Sequence, residues 1–311
     1  MPILRKCCAI RRVHELAHVV RRGGEGGRQG KLPGEIERAD YDQHHGVRWS
    51  LLSHMRKSPA HYRHAVEHAR KDTSALRTGS ALHTLVFEPE TFGDRFTTYA
   101  PSKTKGEGAR KAWEAFQESA REQGLTILDA DEIARAEGMA RAVRNTARDY
   151  IAPSKGRAEI PISWTDEETG LLCKSRLDWM TLHRIVIDLK STRSTDERAF
   201  SAQAWRLGYF HQAMFYAMGV AAVSGCKLDE VPFLFVSVES EPPYDVALFE
   251  PCSETRYAAI EDVRRLLTQL AECQRVNKWP GRYEGARLLK APSYVLMSDE
   301  DEWEINTREV R

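Results

Sequence analysis

Leu171-Leu172-Cys173-Lys174-Ser175-Arg176-Leu177-Asp178-Trp179-Met180, then a short turn, then Ile185-Val186-Ile187-Asp188-Leu189-Lys190: these two runs carry the reading of the fold. The first returns antiparallel to Glu159-Ile160-Pro161-Ile162-Ser163-Trp164, whose alternating, β-branched texture predicts a strand. Thr165 to Gly170, charged and ending in glycine, is the expected hairpin turn between them. The second run is almost wholly apolar and suits a strand buried in the middle of a sheet. Charges inside such a run are costly unless something there uses them.

On the C-terminal side the pattern predicts a helix over 197–223, strands at Val231–Val238 and Val246–Phe249 split by a Pro242-Pro243 turn, and an amphipathic helix from Glu254 to Asn277. On the N-terminal side Ser50 is read as the cap of a helix opening with Leu51-Leu52, and Ser58-Pro59 starts another. Thr78 to Val86 forms a third, its small residues letting neighbouring backbone approach His83. Residues 107–123 and 129–149 are helical scaffold, the latter with a buried stripe of Ile133, Ala136, Met139, Ala140 and Val143. The class is therefore α/β, a mixed central β-sheet flanked by helices. One domain is expected over 41–311, with a helical part at 41–150 and a sheet core at 158–280. A basic, Gly-rich and flexible segment, 1–40, precedes it.

Lys and Arg number 46 against 45 Asp and Glu in 311 residues, a net charge of +1. A nucleic-acid surface must then arise from local clusters, such as the basic N-terminal segment or Lys103, Lys105, Arg110 and Lys111. The six cysteines, at 7, 8, 173, 226, 252 and 273, form no CxxC pair. That argues against a disulfide scaffold or structural zinc and for a reducing, cytoplasmic setting. No run approaches the ~18 apolar residues a membrane span needs.

Asp188 and Lys190, two apart on a strand, share a face, and Asp178 on the paired strand can reach the same end of the sheet. Two carboxylates at one place need a cation between them, and hard oxygen donors suit Mg²⁺, with Mn²⁺ as a substitute. Lys190 is then set to orient an attacking water or steady charge on a phosphate. Gln212 and Tyr216, four apart, lie on one helix face, and Gln212 brings both a donor and an acceptor. His83 offers an imidazole to the metal. An Asp-x-Lys pair also occurs as a solvated surface pair, and a lone histidine as a core residue; the apolar strand around Asp188 weighs against the first.

The order Gly79-x-x-x-His83, Asp178, Asp188-x-Lys190, Gln212-x-x-x-Tyr216 resembles the RecB-like branch of the PD-(D/E)xK nucleases. With Ser58 to Tyr62 and Cys173 to Asp178 added, it resembles RecE-type (exonuclease VIII) nuclease domains over residues 40–280. The resemblance implies a restriction-endonuclease-like core and a Mg²⁺-dependent exodeoxyribonuclease. Such an enzyme degrades linear duplex DNA 5′→3′ to 5′-mononucleotides in phage-type recombination. It implies His83, Asp178, Asp188 and the Leu189 carbonyl as metal ligands, Lys190 as the residue assisting water, and Glu159 as a further acid. It also implies duplex DNA ends, a RecT-like annealing protein and a homo-oligomer as partners. Leu177 stands where many RecE-type chains have proline. Cys226, Cys252 and Cys273 lie too far apart for the iron–sulfur cluster of some relatives, and none is expected. A structure-specific or end-trimming endonuclease, or a decayed DNA-binding module, are the competing readings.

Overall fold

A computed structural model describes residues 31–68, 72–99 and 106–291. Its centre is a five-stranded sheet of β1 (Gly156–Thr165), β2 (Leu172–Thr181), β3 (Val186–Thr192), β4 (Phe233–Glu239) and β5 (Val246–Phe249). Spatial order follows chain order, and only β3 and β4 are parallel. Consecutive antiparallel strands need only tight turns, whereas the parallel pair requires a crossover. Helices α5 (Glu197–Leu207) and α6 (Tyr209–Ser224) supply it.

Alternation along β3 divides the molecule into three layers. Val186 joins Phe215, Met214 and Leu266 in a core beneath α6 and α7 (Ser253–Val276). Ile187 and Leu189 join Leu82, Met139 and Val143 in a core beneath α2 (Ser74–Phe87) and α4 (Ala130–Thr146). With both faces covered, the near-continuous apolar runs of β3 and β4 are accounted for. Helix α1 (Pro59–Glu67) is capped by Ser58, as its sequence predicts, and α3 is Glu107–Glu122. Among the described residues no helix is long and apolar enough to cross a membrane.

Three expectations change. Arg48, not Ser50, occupies the cap position of the helix Trp49–Leu52, which lasts a single turn. The helix expected over 197–223 is two, because Gly208 adopts a left-handed φ of 81° that both ends α5 and begins α6. A side chain there would meet the movable end of Arg56 at 2.7 Å, so the left-handed backbone is the stronger demand for glycine. Residues 34–36, assigned from sequence to the flexible segment, run along the free edge of β1. Ile36 N–H donates to the Pro161 carbonyl (3.1 Å) and Ser163 N–H to that of Gly34 (2.9 Å). Of the basic cluster, Lys103 and Lys105 lie outside the described residues, as does the chain before residue 31. Arg110 and Lys111 pair with Glu114 and Glu107 along α3.

Helix α4 is tied to α2 through its own cap. Asp129 accepts from Glu132 N–H (2.8 Å), Glu132 accepts in return from Asp129 N–H (3.0 Å), and Arg77 of α2 donates to Glu132 (2.7 Å). Burial would raise the Glu132 carboxyl, but Ser74, Arg77 and the Asp129 N–H hold it below its ordinary value. A depressed folded pKa means stability that is present above about pH 4.5 and is lost as pH falls through the folded value. Glu132→Gln is expected to cost about 1–3 kcal/mol at neutral pH. The gap from wild type should close in acid, as urea titrations near pH 7 and near pH 3 would show.

Candidate active site

The sheet opens where β2 and β3 part. These strands pair only at Trp179↔Ile187 and Met180↔Val186. Past that point the Leu189 N–H, with no strand to meet, donates to Asp178 Oδ2 at 3.0 Å. The split leaves a cleft of about 1350 Å³ bordered by His83, Glu159, Asp178, Lys190, Gln212 and Tyr216, so all three layers contribute.

On one side lies an acidic group. The β1–β2 register sets Ala158 against Trp179 and Ile160 against Leu177, which brings Glu159 opposite Asp178. Like charges directly across a strand pair repel. Glu159 is nevertheless there, buried and at a left-handed φ of 49°. His83 reaches the pair from α2, and donor atoms of His83, Glu159 and Asp178 all lie within 4.8 Å of one another. Phe87 braces the imidazole edge-on (6.0 Å) and is itself stacked on Trp179 (5.7 Å).

His83 Nε2 donates to the Leu189 carbonyl at 3.0 Å, and Nδ1 stands 3.4 Å from Asp178 Oδ2. Both neighbours are acceptors, so the imidazolium satisfies both. Burial alone would lower its pKa, but Asp178 more than offsets this and the net shift is upward. Burial would raise Asp178, yet His83, Lys190 and the Leu189 N–H bring it below the usual carboxylate range. Burial leads for Glu159 and raises its carboxyl.

Asp188 faces the other way. Its Oδ2 is 2.5 Å from Lys190 Nζ, and Gln212 Nε2 approaches its Oδ1 at 3.4 Å while donating to the Tyr216 hydroxyl at 3.0 Å. Burial pushes the Asp188 carboxyl up to about 6 even with Lys190 beside it. Burial alone would lower Lys190, but Asp188 and Asp178 keep its ammonium charged, and the Tyr209 ring lies 4.9 Å beneath it. Burial carries Tyr216 well above the ordinary phenol range, leaving it a neutral hydroxyl.

The candidate catalytic and metal-binding residues thus gather at one cleft, but in two subgroups. His83, Glu159 and Asp178 form the cluster that could hold a cation, while Asp188 is engaged with Lys190 and Gln212. The Leu189 carbonyl, expected as a ligand, holds His83. Tyr209 beneath Lys190 and Arg176 beside Glu159 were not given roles by sequence reasoning. The alternation Lys174, Arg176, Asp178 along β2 was the available signal for the arginine.

Residues 49–292 match the family described as "PDDEXK-like domain of unknown function (DUF3799)". Among solved structures, a candidate exonuclease from Eubacterium rectale is similar in fold, with a TM-score of 0.55 at 15% identity, covering 88% of this chain and 99% of that one. The structure of SSO0001 is far weaker, at TM-score 0.27 and 12% identity over 74% of this chain and 85% of its own. No curated protein matches. With the family match spanning most of the length and the split sheet carrying Asp178, Asp188 and Lys190 at its opening, the chain belongs to the DUF3799 family of PDDEXK-like domains.

Proposed function

We propose that this chain is a divalent-cation-dependent DNA nuclease, and specifically an exonuclease acting on linear duplex ends. The observation that carries the reading is the pair of facing acids, Glu159 and Asp178, with His83 beside them. A buried and a half-buried carboxylate with an imidazole, their donor atoms all within 4.8 Å of one another, fit a hard divalent ion such as Mg²⁺ or Mn²⁺. When bound, such an ion lowers the pKa of water and neutralises phosphate charge.

The residues do the rest. Asp178, low in pKa and fixed by the Leu189 N–H, stays ionised as a ligand. His83, as ligand, would release the proton of the coordinating nitrogen to solvent and with it one of its two present partners, the Leu189 carbonyl or Asp178. Lys190, cationic on its aromatic support, faces the cleft where negative charge on a phosphoryl group would grow. Gln212, itself held by the Tyr216 hydroxyl, positions Asp188 against Lys190.

Digestion of end-labelled linear duplex in Mg²⁺, with Ca²⁺ and a closed circle as controls, tests the proposal. Loss of label from the linear form alone supports an exonuclease. Cutting of the circle replaces that with an endonuclease, and no cutting of either ends the nuclease reading. The 5′→3′ direction, a RecT-like partner and a homo-oligomer belong to the RecE-type resemblance; the label's position reads the direction. Lys190→Met should lower cleavage by about 10²–10³-fold. Isothermal titration should still show cation binding, because Lys190 is not among the donors.

A further inference from the structure

Three arginines stand around the acidic side of the cleft, and their partners differ. Arg38 is forked onto Glu88, with Nη2 at 2.5 Å from Oε2, and Arg95 reaches the same carboxylate at 3.4 Å. Both are committed to Glu88, although Arg38 Nη2 also stands 3.9 Å from Glu159 Oε2. Arg176 is different. Its Nε lies 2.9 Å from Glu159 Oε2, its guanidinium rests 5.5 Å over the Tyr41 ring, and it borders the cleft with 39% of its side chain exposed. The near carboxylate oxygen is buried and lacks an aligned hydrogen bond, so this ion pair is close without being well made.

Glu159 therefore faces two rivals, the guanidinium and whatever cation joins His83 and Asp178. A divalent ion carries twice the charge of the guanidinium, and on the same carboxylate it weakens the pair by neutralising Glu159 and repelling Arg176. The side chain already borders the open cleft, two residues along β2 from Asp178, and can turn its planar fork into it. Guanidinium forks match phosphate oxygens in geometry and charge.

Building on the nuclease reading, we infer that Arg176 is a phosphate-binding residue for the substrate strand, held by Glu159 in the cation-free protein and released when a divalent ion takes that carboxylate. Cation loading and DNA binding are then linked through one side chain, which gives loaded protein the greater grip on its substrate.

The test uses the full chain and a fluorescently labelled DNA duplex, with anisotropy read across a salt series, once with chelator and once with Ca²⁺. Arg176→Gln is expected to leave chelator binding unchanged. In Ca²⁺ it should weaken binding about tenfold and reduce the slope of log K against log salt by about 0.9, the signature of one lost phosphate contact. Glu159→Gln should tighten binding in chelator by freeing the guanidinium, and Arg176→Gln added to it should reverse that gain. An Arg176→Gln effect equal in both conditions, or absent in both, overturns the inference, as does a Glu159→Gln gain that survives removal of Arg176. If the wild-type chain cuts no DNA in Mg²⁺, the nuclease reading itself falls, which the salt series alone would not report.

Discussion

Asp188→Ala is expected to reduce Mg²⁺-dependent cleavage about 10³-fold or more while leaving duplex affinity within a few fold of wild type. The carboxylate is 1% exposed and bound to Lys190 on one oxygen and Gln212 on the other. Its loss removes the anion that aims the lysine and leaves an ammonium buried beside Tyr209. Affinity should hold because removing a negative charge near the cleft favours an approaching polyanion. The decisive comparison is with Lys190→Met and the double variant. Residues acting as a unit are non-additive, so the double variant should be scarcely worse than either single one. Full additivity would mean that Asp188 and Lys190 work separately, and retained cleavage in Asp188→Ala would remove the proposed chemistry.

The second large effect concerns the helix beneath the site. Phe215 has no exposed surface, its ring lying 5.0 Å from that of Trp164 and 6.3 Å from that of Trp49. Phe215→Ala should destabilise the fold by about 3–5 kcal/mol, since two indoles cannot collapse into the vacated volume. Urea titration measures the loss. Because α6 also carries Gln212 and Tyr216, the surviving folded protein is expected to cleave more slowly than wild type at saturating substrate. An unchanged rate per folded molecule would mean that the helix does not need this packing to hold its two polar residues in place.

Much of this was legible in residue patterns. The strand 186–192 announces itself by the apolar run that opens it, which a covered sheet explains, and Lys190 and Asp188 fall on one face by strand period alone. The Ser58-Pro59 signal works because a cap is local chemistry. What was not legible depends on contacts remote in sequence. The β1–β2 register that sets Glu159 against Asp178 follows from a hairpin whose exact turn a pattern does not specify. The break at Gly208 was hidden because α6 is apolar on nearly every side, so periodicity runs on through the glycine. That His83 would find a carbonyl more than a hundred residues away was beyond any window; only its small-residue helix hinted at close approach.

The short stretch at residues 34–36 has a practical consequence. By bonding along β1 it occupies backbone groups that an outermost strand would otherwise offer to any chain with matching donors and acceptors. A clone begun at residue 41 would strip this guard, and Ile162 with its neighbours would become a template for sheet-to-sheet stacking between molecules. Shortened versions of the protein should therefore begin before Leu32, whose buried side chain anchors the guard from below.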